Sequence, residues 1–173
     1  MNHNHNKNNV MFFGDSHIEK MKHSVVAKEG HHKAIIFESY PGYKTKEGLN
    51  ELQLYLEESK DTVKNLDLVV LSFGSNDEIV DTIQTINQLM KMCQLIHKYN
   101  NKCHIMLLVC HHICNQDVFI ETLHEAINKQ ENIQIHYIDT QYAKFDKNSQ
   151  LYFTPEQYYT YFKLCISDDM YKN

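Results

Sequence analysis

A chain of 173 residues, 42% hydrophobic and 23% charged, has material for one domain with a real core and too little for two ordinary ones. Its formal net charge of −5 disfavours nucleic acid and anionic membrane surfaces as partners. All 17 basic residues are lysine, so the planar fork with which arginine grips phosphate or carboxylate is missing.

Residues 1–9, Met-Asn-His-Asn-His-Asn-Lys-Asn-Asn, form a polar low-complexity stretch expected to be disordered, or a purification tag, ahead of a single domain over 10–173. From Val10 onward short apolar runs alternate with longer helical patterns. The runs predict strands at Val10–Phe13, Lys33–Glu38, Leu66–Phe73, Cys103–Cys110 and Ile133–Ile138. The intervening segments predict helices near Ser16–Lys28, Lys46–Lys64, Asp77–Tyr99 and Asp117–Lys129, with a last one over Pro155–Ser167. In the third helix Ile79, Ile83, Ile86, Met90 and Cys93 recur every three or four residues and predict one apolar face. Leu68-Val69-Val70-Leu71 and Ile105-Met106-Leu107-Leu108-Val109 are continuous apolar runs, the pattern of strands covered on both sides. Five strands alternating with five helices predict a three-layer α/β/α domain around a five-stranded parallel sheet.

The five cysteines are odd in number, and three fall in segments expected to be buried, as reduced, space-filling cysteines do. No apolar run approaches membrane-spanning length and no charged-then-apolar leader opens the sequence. A soluble, cytoplasmic protein is expected.

In an open parallel sheet of strand order 2-1-3-4-5, ligands sit beyond the carboxyl ends of strands 1 and 3. Gly14-Asp15-Ser16-His17 follows strand 1, Pro41-Gly42-Tyr43 follows strand 2, and Gly74-Ser75-Asn76-Asp77 follows strand 3. A serine hydroxyl, a glycine N–H and an asparagine carboxamide would meet there, a nucleophile beside donors for a developing oxyanion. These three ordered blocks resemble those of the SGNH, or GDSL-type, hydrolases, over residues 10 to about 165. The resemblance implies that Ser16 is the nucleophile, that its own N–H, the Gly42 N–H and the Asn76 amide form the oxyanion hole, and that Asp15 braces the turn. Family members deacylate sugars, lipids or other esters through an acyl-enzyme. No cofactor and no metal are implied.

The family's fourth block, Asp-x-x-His before the last helix, is not matched. In Ser149-Gln150-Leu151-Tyr152-Phe153-Thr154-Pro155-Glu156 the Thr-Pro-Glu tail sets the register. Tyr152 then stands at the base position and Ser149 at that of its orienting carboxylate. A tyrosine is protonated at neutral pH and is a poor general base. In subtilisin, loss of serine or histidine costs about a million-fold in kcat, so an impaired hydrolase that binds an ester, carboxylate or acetylated ligand is expected. The alternatives are an active short-chain esterase with His111 or His112 as relocated base, and a protein-interaction module.

Structural roles compete for the same residues. Ser16-His17-Ile18-Glu19 fits a capping box, Asn76 or Asp77 can cap the third helix, and Pro41-Gly42 is a common turn pair. Thr154-Pro155-Glu156-Gln157 reads as a helix start. Tyr158, Tyr159, Tyr161 and Phe162 recur at a core-like helical spacing. Cys110-His111-His112-Ile113-Cys114 is too tightly spaced for a structural zinc site and lacks a distant second ligand pair.

Overall fold

A computed structural model describes residues 7–109, 116–140, 145–146 and 149–171. The main sheet is parallel, with β1 (Val10–Gly14), β2 (Ile35–Ser39), β3 (Leu68–Ser72), β4 (His104–Val109) and β5 (Ile135–Asp139) in the order β2-β1-β3-β4-β5. The connecting helices are α1 (Ser16–Glu29), α2 (Thr45–Glu58) with a short α3 (Lys60–Val63), α4 (Thr82–Tyr99) and α5 (Gln116–Asn128). A two-stranded antiparallel hairpin, β6 (Phe145–Asp146) and β7 (Ser149–Phe153), precedes the last helix, α6 (Pro155–Ile166). The hairpin was not among the predicted elements; the five-stranded order was.

Alternation along each strand divides the core in two, because successive side chains leave opposite faces of a sheet. Met11, Phe13, Val69, Leu71, Ile105 and Leu107 face one way, into a cluster with residues of α2, α4 and α5. Val10, Phe12, Leu68, Val70, Met106 and Leu108 face the other way, toward α1 and α6. β1 and β3 are buried at every residue. Tyr158, Tyr161 and Phe162 of α6 are buried in the second cluster, the core role their spacing predicts. Cys93, Cys103 and Cys165 are free and buried, and burial pushes each thiol up to about 12. They stay neutral and fill space. Cys110 and Cys114 lie outside the described residues.

Two expectations need correction. The apolar stripe of the third predicted helix does not extend to its start. Ile79 is 43% and Ile83 69% exposed, whereas Ile86, Met90 and Cys93 are buried. The α-helix begins only at Thr82, after a 3-10 turn over Ile79–Asp81, so Ile79 precedes the helix and Ile83 lies in its first turn, outside the buried stripe. The second predicted helix is also divided, at Ser59, into α2 and α3.

The first six residues fall outside the described set. From Lys7 the chain is tied down: Lys7 N–H donates to Ile166 O at 2.7 Å, and Asn9 N–H donates to Asp67 Oδ2 at 3.2 Å. At the amino edge of the sheet His104 Nδ1 and His136 Nε2 lie 3.2 Å apart. The Tyr171 ring packs on both imidazoles.

Candidate functional site

Parallel pairing aligns Gly14 with both Ser39 and Ser72, so the loops after β1, β2 and β3 leave the sheet at one level. Gly14 must lack a side chain, since a Cβ there would lie 2.3 Å from Ser72 O and 2.6 Å from Ile18 Cγ1. That close approach lets the chain turn from β1 directly into α1.

The turn is capped by Asp15, not Ser16. Asp15 is the N-cap of α1 and its Oδ1 accepts from His17 N–H at 3.0 Å. The capping-box reading of Ser16 is thereby corrected. Ser16 is the first helical residue, and its hydroxyl is released from capping. Asp15 is fully buried, and its Oδ2 accepts from Ser75 Oγ at 2.7 Å. Burial raises its carboxyl to about 6, against the opposing hydrogen bonds from Ser75 and His17, with the charge of Asp77 adding to the rise.

Cross-loop bonds hold the other two loops together. Asn76 Nδ2 donates to Tyr43 O at 3.0 Å. Asp77 Oδ1 accepts from Thr45 N–H at 2.9 Å, and its Oδ2 accepts from Thr45 Oγ1 at 2.5 Å and Thr85 Oγ1 at 2.6 Å. The N-cap of α2, Lys44, supplies no side-chain acceptor. Asp77 therefore caps α2 from the neighbouring loop, and not α4 as one sequence reading has it. Gly42 adopts φ +82°, a left-handed conformation that a side chain would strain. Among the described residues, the N–H groups of Ser16 and Gly42 donate to no protein acceptor. Asn76 keeps a second amide hydrogen beyond its bond to Tyr43.

Ser16, at the start of α1, and Gly42 and Asn76, on the loops after β2 and β3, thus lie on adjoining segments joined by Asp15–Ser75, Asn76–Tyr43 and Asp77–Thr45 bonds. Tyr152 joins them from β7, its hydroxyl donating to Ser16 Oγ at 3.2 Å. Lys20, one turn below Ser16 on α1, places its ammonium over the Tyr152 ring, 4.9 Å from the centroid. His17 is buried and turned toward α6, with Nδ1 2.7 Å from Tyr158 OH. The candidate bases His111 and His112 lie outside the described residues. On the far side of Tyr152 a cavity of about 410 Å³ has Lys20, His23, Asp146, Tyr152 and Tyr158 among its walls, and Ser16, Gly42 and Asn76 do not line it. No group of three or more metal-binding side chains occurs among the described residues.

Sequence reasoning missed three parts of this arrangement. Lys20 carried a faint signal, since position i+4 from Ser16 shares its helix face. The Asp15–Ser75 and Asp77–Thr45 bonds span 60 and 32 residues, and carry no local signature. Among the described residues no helix is long and apolar enough to cross a membrane.

No family model matches the chain, and no curated protein matches it by sequence. Solved structures do match. A Streptococcus pneumonia protein described as a platelet activating factor aligns at TM-score 0.69 with 18% identity, over 98% of this chain and 87% of that one. A family 3 carbohydrate esterase from Clostridium thermocellum aligns at 0.65 with 12% identity, over 93% and 96%. A lipolytic protein of the G-D-S-L family from Desulfitobacterium hafniense aligns at 0.60 with 12% identity, over 87% and 93%. With its strand order and flanking helices, the chain has the SGNH-hydrolase fold of these esterase and lipase neighbours.

Proposed function

We propose that the crevice at Ser16 binds a small ester, carboxylate or acetylated ligand, on a serine-hydrolase scaffold whose turnover at neutral pH is impaired. The observation that carries this reading is the 3.2 Å contact between Tyr152 OH and Ser16 Oγ. In a serine–histidine hydrolase an imidazole withdraws the serine proton there. The Tyr152 hydroxyl instead donates to the serine oxygen, which occupies a lone pair of Ser16 without withdrawing its proton.

The oxyanion donors support the binding half of the proposal. The Ser16 and Gly42 N–H groups and the second Asn76 amide hydrogen are the donor types that recognise a carboxylate or an ester carbonyl. Solved structures of this fold include a family 3 carbohydrate esterase and a lipolytic protein of the G-D-S-L family, so acyl compounds are the natural class to test.

At pH 7 the purified protein should turn over short aryl esters no faster than its Ser16→Ala variant. Acetate or butyrate should perturb the amide resonances of Ser16 and Gly42 in an NMR titration. Clear turnover at pH 7 that disappears in Ser16→Ala would overturn the impaired reading. A fluorophosphonate probe would then show whether His111→Ala or His112→Ala abolishes labelling of Ser16, as a relocated histidine base requires.

A further inference from the structure

Three groups from two elements meet at the nucleophile. Ser16 and Lys20 occupy one face of α1, four residues apart, and Tyr152 faces them from β7. The phenol oxygen is in hydrogen-bond contact with Ser16 Oγ, and the lysine ammonium lies over the same ring. Resting on the function proposed above, we propose that Ser16, Tyr152 and Lys20 form a serine–tyrosine–lysine set in which the Tyr152 phenolate is the base, giving slow, alkaline-dependent cleavage of short acyl esters.

The geometry suits that role. A general base must lie within about 2.6–3.2 Å of the proton-bearing atom, and Tyr152 meets this requirement without rearrangement. An ammonium over an aromatic face favours negative charge in that ring. Lys20 is thus a positioning residue, acting through Tyr152 and not on the substrate. Among the described residues, the His17 ring is 5.6 Å from that of Tyr152, and His23, Asp146 and Tyr158 line the same cavity.

The step balances with water as the only co-reactant. The phenolate takes the Ser16 proton as Oγ bonds to the acyl carbon, and the carbonyl electron pair moves to the oxygen held by the Ser16 and Gly42 N–H groups. Collapse breaks the bond to the alcohol oxygen, which receives the proton from Tyr152. Water then gives a proton to the phenolate and its oxygen to the acyl carbon. The bond to Oγ breaks, Tyr152 returns the proton to Ser16, and the carboxylic acid leaves.

The test follows hydrolysis of p-nitrophenyl acetate from pH 6 to 9.5, subtracting the rate of Ser16→Ala at each pH. Native protein should match Ser16→Ala at pH 7 and, above about pH 8, show a Ser16-dependent rate that climbs about tenfold per pH unit, as expected for one ionisation. Tyr152→Phe should lower the rate at pH 9 by about a hundred-fold or more and flatten the profile. Lys20→Met should displace the rising limb to higher pH, and Lys20→Arg should restore it. Native-like circular dichroism of each variant separates these effects from misfolding. A Tyr152→Phe profile superimposable on the native one, or a Lys20→Met profile with no displacement, overturns the proposal. If butyrate binds at Ser16 but no Ser16-dependent rate appears at pH 9, this inference alone fails. If binding is also absent, the underlying function fails with it.

Discussion

Asp15→Asn is the perturbation whose magnitude the structure sets most directly. Asp15 is fully buried at the start of α1, and its carboxyl is raised from 3.8 to about 6, chiefly by burial. A raised carboxyl means that the folded state holds its proton more tightly than the unfolded chain. Between about pH 4 and 6 the fold therefore loses stability as pH rises, and the loss is complete above pH 6. At 1.36 kcal/mol per pKa unit the displacement amounts to about 3 kcal/mol.

Asparagine preserves the shape without the charge. Its carbonyl can still accept from His17 N–H, and its amide can donate to Ser75 Oγ with the serine hydroxyl rotated. Urea denaturation of both proteins from pH 4 to 8 reads the effect. Near pH 4 the two should be similar in stability. By pH 7.5 Asp15→Asn should be the more stable, by about 3 kcal/mol. A difference independent of pH, or a native protein that gains on the variant as pH rises, would refute the reasoning, since either requires a carboxyl that burial does not penalise.

Two further outcomes follow from packing and charge. Gly14→Ala pushes a methyl to 2.3 Å from Ser72 O and should cost about 3 kcal/mol in urea denaturation. His104 and His136 have imidazoles lowered mainly by burial, with Lys7 adding to both. Their stabilising contribution is present above about pH 6.5 and is lost as pH falls below it. Acidification from pH 7 to 5 should therefore lower the amide protection factors, meaning exchange measured relative to the intrinsic rate at each pH, at Met170 and Tyr171, whose turn packs over this pair, and His136→Gln should weaken that dependence.

The parallel sheet was legible because its strands are buried on both faces, and Leu68–Leu71 and Ile105–Val109 are unbroken apolar runs as a result. The glycine, serine and asparagine of the three loops were legible because strand ends fix where such residues go. What escaped was set by distance or by competition between local devices. Asp15 and Ser16 could each cap α1, and only the observed bond to His17 decides between them. Ile79 fits the helical period of α4, yet a 3-10 turn holds it outside the helix. The hairpin carries a two-residue strand, too short for any alternation to register. The meeting of Tyr152 with Ser16 crosses 136 positions.

Tyr152 is mounted on the β6–β7 hairpin, a separate sheet from the one that carries Ser16, Gly42 and Asn76. Exchanging the residue at that position changes what faces the Ser16 hydroxyl while leaving every ladder of the main sheet untouched.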